Sequence, residues 1–121
     1  MRARFPTIVP AIAVVLLLAG CQGETATTKK SDAAPSPGKV IYDQQCAICH
    51  GKTGKGDTMI AASYPHANLT DSEWGYGGSR AELIRSITDG VPKTPMRGFK
   101  GALSETEINE VTEYVLKLSG Q

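Results

Sequence analysis

Residues 46–50 read Cys46-Ala47-Ile48-Cys49-His50. Two thiols two residues apart, followed at once by an imidazole, suit the covalent attachment of a haem. The thiols add across the two vinyl groups as thioethers, and the next residue is placed to put its imidazole on the iron. Chance would give this pentapeptide in on the order of one in a thousand chains of this size or fewer. The competing readings are a thioredoxin-like redox pair that happens to precede a His, and a metal site. Neither finds support. No strand leads into Cys46, no βαβ pattern surrounds it, and three cysteines suit neither a disulfide framework nor a four-ligand zinc site. Cys46 and Cys49 are therefore the expected attachment points of one haem c, and His50 its first axial ligand.

Working outward, the 121 residues allow one small domain. Aromatic residues make up only 6% of the chain, so little core is available without a prosthetic group. A net charge of +1 speaks against nucleic acid as a partner.

Residues 1–20 read as an export signal. Arg2 and Arg4 supply the charged start and Ile8 to Leu18 an apolar stretch too short for a comfortable membrane span. A retained N-terminal anchor is the alternative. Leu18-Ala19-Gly20-Cys21 resembles the lipobox of bacterial lipoproteins, which implies cleavage before Cys21 and acylation of its sulfur. Two or more acyl chains hold a protein stably on a membrane. Gln22, rather than Asp, at the next position implies that the protein is not retained in the inner membrane. Loss of residues 1–20 takes the net charge from +1 to −1, because Arg2 and Arg4 leave. Residues 21–37 contain no large apolar side chain and end in Pro35 and Pro37, the composition of a flexible tether. The folded domain is expected over 38–121.

Three helices are expected there, with no strand. The first is brief, from Gly38 to about Cys46. The second lies between Ser79 and Gly90. Ser79 with Glu82 has the form of a capping box, and Leu83, Ile84 and Ile87 make an apolar stripe. The third starts after Ser104, which pairs with Glu107, and carries Ile108, Val111, Val115 and Leu118 up to Gly120. Segments 51–58, 63–78 and 90–103 are rich in loop formers. The fold class is small, all-α and loop-rich, wrapped around one haem.

The second axial position has several candidates: Met96, His66 and Met59, or no ligand at all. Met96 lies in Thr94-Pro95-Met96-Arg97-Gly98-Phe99, where Pro95 fixes the backbone before the thioether and Gly98 permits a tight turn after it. Met59 follows His50 too closely and reads as core filler. His66, in a Pro-His-Ala-Asn turn, reads as a surface residue. Met96 is favoured, and a thioether ligand raises the potential by stabilising the reduced iron.

Residues 38–118 resemble the class I cytochrome c domain, the small monohaem His/Met type of bacterial respiratory chains. The likeness rests on Gly38, Tyr42 and Cys46 spaced four and four, on Cys46 to His50, on Gly51, and on Asp89-Gly90-Val91 through Thr94-Pro95-Met96. It implies that the first helix crosses the last at Gly38, with Tyr42 against Tyr114. It implies a carbonyl in Pro65-His66-Ala67-Asn68-Leu69-Thr70-Asp71, at Pro65, that accepts a hydrogen bond from His50. It also supports Met96. Many relatives have Pro after the Met; here Arg97 stands beside the ligand, expected in solvent rather than on a haem propionate. Trp74 and Tyr76 are candidates for the propionate side or for rim packing.

Lys52, Lys55, Lys93, Arg97 and Lys100 fall in segments expected to flank the haem edge, against Glu105, Glu107, Glu110 and Glu113 on the last helix. A basic docking face for acidic redox proteins follows as a hypothesis. The expected function is a monomeric, lipid-anchored carrier of single electrons facing the periplasm or extracytoplasmic space, without catalytic residues. The alternative is a permanently bound cytochrome subunit of a respiratory dehydrogenase or terminal oxidase. An enzyme would need an open iron site or a second haem, and a sensor would need an output domain.

Overall fold

Ser36 opens the first helix. The structure, a computed structural model, describes residues 34–71 and 73–121. The export signal, Cys21 and most of the expected tether lie outside the described residues. With Ser36 as its cap and Pro37 in its first turn, α1 (Pro37–Ile41) begins one residue before the expected boundary. It runs on through a π turn (Tyr42–Cys46) into α2 (Ala47–His50), so the helical run extends beyond Cys46 to the end of the haem motif. In the π turn the Ala47 N–H donates to the Tyr42 carbonyl, five residues back. The extra residue rephases the side chains that follow: Tyr42 packs into the core, while Cys46, Cys49 and His50 line a cleft.

Both capping boxes form. Ser79 caps α3 (Arg80–Asp89) and Ser104 caps α4 (Glu105–Leu118), with Glu82 and Glu107 returning the reciprocal bond. Gly90 ends α3 at φ 81°, and Gly120 follows α4 at φ 77°. No strand occurs among the described residues. The nearest approach to one is an isolated antiparallel bridge between Gly90 and Arg97 and a parallel one between Lys100 and Leu103.

The core joins all three helical regions. Ile41 and Tyr42 from the first run, Leu83 and Ile87 from α3, and Ile108, Val111 and Val115 from α4 form one cluster with Leu69 and Phe99. The α1–α4 crossing is close because Gly38 lacks a side chain: a Cβ there would lie 2.0 Å from the Glu110 carbonyl oxygen. Beside it the Tyr42 and Tyr114 rings pack with centroids 5.1 Å apart at 57°, the pair that the resemblance implied. The Tyr42 hydroxyl donates to the Gly51 carbonyl at 2.7 Å and so ties the end of α2 to the core. α3 and α4 also share an exposed clasp, Arg80 to Glu113 at 2.7 Å and to Asn109 at 2.8 Å.

Candidate haem site

The α1–α2 run delivers Cys46, Cys49 and His50 to one wall of a cleft of about 400 Å³, within the ~300–1,000 Å³ range of small-molecule sites. The rest of the lining is mostly apolar and comes from the loops: Ile60, Tyr64, Val91, Pro95 and Phe99 among them. A smaller recess, walled by Leu69, Trp74, Leu83, Ile87 and Val115, shares Cys46, His50, His66 and Met96 with the main cleft. Cys46 and Cys49 carry free thiols.

His50 is held by its Nδ1, 2.7 Å from the Ala67 carbonyl oxygen. A carbonyl only accepts, so Nδ1 carries the proton and donates it. Nε2 of the neutral ring keeps its lone pair for a metal. Burial holds the His50 pKa below its usual value, partly offset by that hydrogen bond. The acceptor is Ala67, not Pro65 as the resemblance implied. Pro65 opens a short 3₁₀ turn (Pro65–Ala67), and its carbonyl accepts from the Asn68 N–H within that turn. Ala67, last in the turn, has a carbonyl left for His50. A 3₁₀ turn beginning at the Pro is the signal that would have moved the assignment along.

Met96 lines the same cleft and recess as His50. Its loop is pinned by backbone: the Val91 N–H donates to the Met96 carbonyl, and the Thr94 hydroxyl bridges the Val91 carbonyl and the Met96 N–H. Gly98 is needed for close approach rather than for a turn. A Cβ there would lie 2.5 Å from the Thr88 carbonyl oxygen, and the non-glycine residue of the loop with positive φ is Lys93, at 63°.

Among the other ligand candidates, Met59 is 96% exposed and outside both cavities, so it is neither core filler nor a cleft residue. His66 is exposed on the cleft rim, its Nδ1 2.9 Å from the Glu73 carbonyl and its ring edge-on to Tyr76. Tyr76 lines both cavities and Trp74 the recess alone. Lys52, Lys55, Lys93, Arg97 and Lys100 are all exposed, but only Arg97 lines the cleft. Sequence reading missed Ala67, whose role belongs to its backbone, and the wall residues Ile60, Tyr64 and Phe99. The donor set fits a c-type haem: two free thiols, an imidazole with a free Nε2 and a thioether share one apolar cleft. Among the described residues no three of His, Cys, Asp or Glu gather as a metal cluster would.

Residues 33–115 match the family model "Cytochrome C oxidase, cbb3-type, subunit III". The chain belongs to this family. It is 37% identical over 98 residues to the cbb3-type cytochrome c oxidase subunit FixP of Azorhizobium caulinodans, covering 81% of this chain and 29% of the relative. It is 33% identical over 88 residues to the corresponding subunit CcoP of Azospirillum brasilense, covering 73% and 30%. The chain thus spans about 30% of the length of these curated relatives. Among solved structures, cytochrome c6 of the diatom Phaeodactylum tricornutum matches with a TM-score of 0.54 at 31% identity, over 69% of this chain and 92% of that one. The c-type cytochrome KustC0563 matches with a TM-score of 0.55 at 29% identity, over 69% and 94%. The domain is therefore a monohaem c-type cytochrome domain with a class I-like helical fold. It binds haem c covalently and transfers electrons rather than transforming a substrate. Proteins of the c-type cytochrome class are extracytoplasmic. Among the described residues no helix is long and apolar enough to cross a membrane.

Proposed function

We propose that this cytochrome domain is a lipid-anchored carrier of single electrons between extracytoplasmic redox proteins. Cys46 and Cys49 hold the haem, His50 and Met96 are its axial ligands, and Cys21 carries the lipid at the head of a tether over residues 21–37. The observation that carries the reading is the His50 side chain. Its Nδ1–H is committed to the Ala67 carbonyl, in a cleft that also contains the thioether of Met96. The bound haem supplies a one-electron iron couple. The protein keeps the His50 tautomer fixed, surrounds the group with apolar side chains and presents the thioether that favours the reduced state. Exposed Lys52, Lys55, Lys93, Arg97 and Lys100 give the domain a basic surface suited to brief encounters with acidic partners.

An optical spectrum of the exported, haem-loaded protein tests the ligand set. A weak thioether-to-iron band toward the red end of the oxidised spectrum is expected, and its loss in Met96→Ala. A band that survives the substitution refutes Met96. An acyl mass increment on the exported chain, absent in Cys21→Ser, tests the anchor. Electron-transfer rates that stay flat with ionic strength would sink the basic docking face.

The relatives favour a second reading. Those matched are named as subunits of cbb3-type oxidases, so the domain can serve as the docked haem module of such a complex. Co-purification with an oxidase after detergent extraction, against release as a lone lipoprotein, separates the two.

A further inference from the structure

Arg97 is the one permanently charged side chain among the described residues that line the cleft or its recess. It forms no ion pair there; the pairs among the described residues are Lys39–Asp43 and Arg80–Glu113. Its one side-chain contact of note is aromatic. The guanidinium carbon lies 5.4 Å from the centre of the Phe99 ring, and Phe99 is a buried residue of the cleft wall. The backbone on both sides is tied down: Arg97 bridges Gly90, the Met96 carbonyl accepts from the Val91 N–H at 2.9 Å, and the Phe99 N–H donates to the Ile87 carbonyl at 2.9 Å. The side chain is exposed, as the sequence suggested, and it also lies over an aromatic wall of the cleft, directly after the proposed thioether ligand.

We propose that Arg97 raises the reduction potential of this domain by holding a positive charge, paired by no side chain of the protein, at the cleft. The inference rests on the reading that this cleft holds the haem. Taking up one electron lowers the net charge of the site by one, so a fixed cation beside it stabilises the reduced state over the oxidised one. The apolar lining lets that charge act at lower effective dielectric than in open solvent. The outer face of the guanidinium is exposed, so added salt weakens the effect. The deciding property is charge at that place, which a lysine can largely supply and a glutamine cannot.

The test is a spectroelectrochemical titration of the haem-loaded protein as wild type, R97Q and R97K, at low and high ionic strength. R97Q is expected to shift the oxidised-to-reduced ratio at a fixed potential at least threefold toward oxidised. That shift corresponds to a midpoint lower by about 28 mV, at about 59 mV per tenfold for one electron. R97K is expected to keep most of the wild-type value, and the gap between wild type and R97Q to narrow in high salt. An unchanged midpoint in R97Q overturns the proposal, and so does an R97K midpoint as low as that of R97Q. Loss of the thioether band in R97Q also overturns it, because the shift would then report a displaced ligand. Failure of the site reading shows separately: wild-type protein that attaches no haem at Cys46 and Cys49 refutes that reading before any midpoint is compared.

Discussion

The crossing of α1 and α4 turns on a single hydrogen atom, and Gly38→Ala measures it. Two effects oppose each other. Alanine is the better helix former, by up to ~1 kcal/mol, and it restricts the unfolded chain. The new methyl, however, would sit 2.0 Å from the Glu110 carbonyl oxygen, 2.6 Å from its carbon and 3.2 Å from the Tyr114 Cβ. The first two obstacles are backbone of a four-turn helix and cannot rotate away. The helices must part by about 1 Å to relieve them, and a gap of that size forfeits about a quarter to a half of each dispersion contact across it. Those contacts include the Tyr42–Tyr114 pair and fully buried Val111. Overpacking of this kind costs about 1–3 kcal/mol, and more where backbone is the obstacle. With backbone as the obstacle the cost falls at the upper end of that range, and after the propensity gain of up to ~1 kcal/mol a net loss of about 2 kcal/mol is expected. For a domain of this size that lowers Tm by about 4–8 °C per kcal/mol. Thermal unfolding of the haem-loaded protein, followed by far-UV circular dichroism, reads it directly. A Tm equal to or above wild type would show that propensity wins and that the close crossing does not constrain residue 38.

Three further outcomes follow from the hydrogen bonds. Ser104→Ala removes the cap of α4 and should cost ~1 kcal/mol, read as a lower urea midpoint. Hydrogen bonds from Ser79 and Ser104 hold the Glu82 and Glu107 carboxyls below their ordinary 4.5. The stability they supply is present above 4.5 and lost as pH falls through their lower folded values; urea midpoints measured down the acid limb should fall less steeply in the double variant E82Q/E107Q. Burial, with a smaller contribution from Tyr114, pushes the Tyr42 hydroxyl well above its usual 10. A raised acid stabilises the fold below pH 10 and loses that contribution as pH rises beyond it. Tyr42→Phe should therefore flatten the alkaline limb, while costing ~1–2 kcal/mol at neutral pH by leaving the Gly51 carbonyl without its donor.

The helices α3 and α4 were legible because each carries its own punctuation: a Ser–Glu box at the start, an apolar stripe, and a Gly near the end. The first helix was legible only in part. Nothing in Tyr42-Asp43-Gln44-Gln45-Cys46 announces a π turn, because its cause lies in contacts beyond the segment, Tyr42 docking on α4 while Gln45 and Cys46 line the cleft. Met59 shows the limit of composition, since an apolar residue in a loop goes wherever the loop takes it, here into solvent. The Pro65 assignment failed by two residues for a related reason. Which carbonyl in a turn stays free depends on the turn's own hydrogen bonds.

The sequence by itself determined the chemistry. Thioether attachment needs two thiols at a set spacing with an imidazole after them, and that requirement is local, so Cys46 to His50 state it without help from the fold. Tertiary structure decided which groups meet at that site. The Ala67 carbonyl reaches the cleft from one loop, and the Met96 thioether, the Arg97 charge and the Phe99 ring from another, and their placement follows from packing on a core drawn from all the helices. A covalent bond pattern is written in adjacent residues, whereas the polarity, charge and tautomer around it are set by contacts between residues distant in the chain.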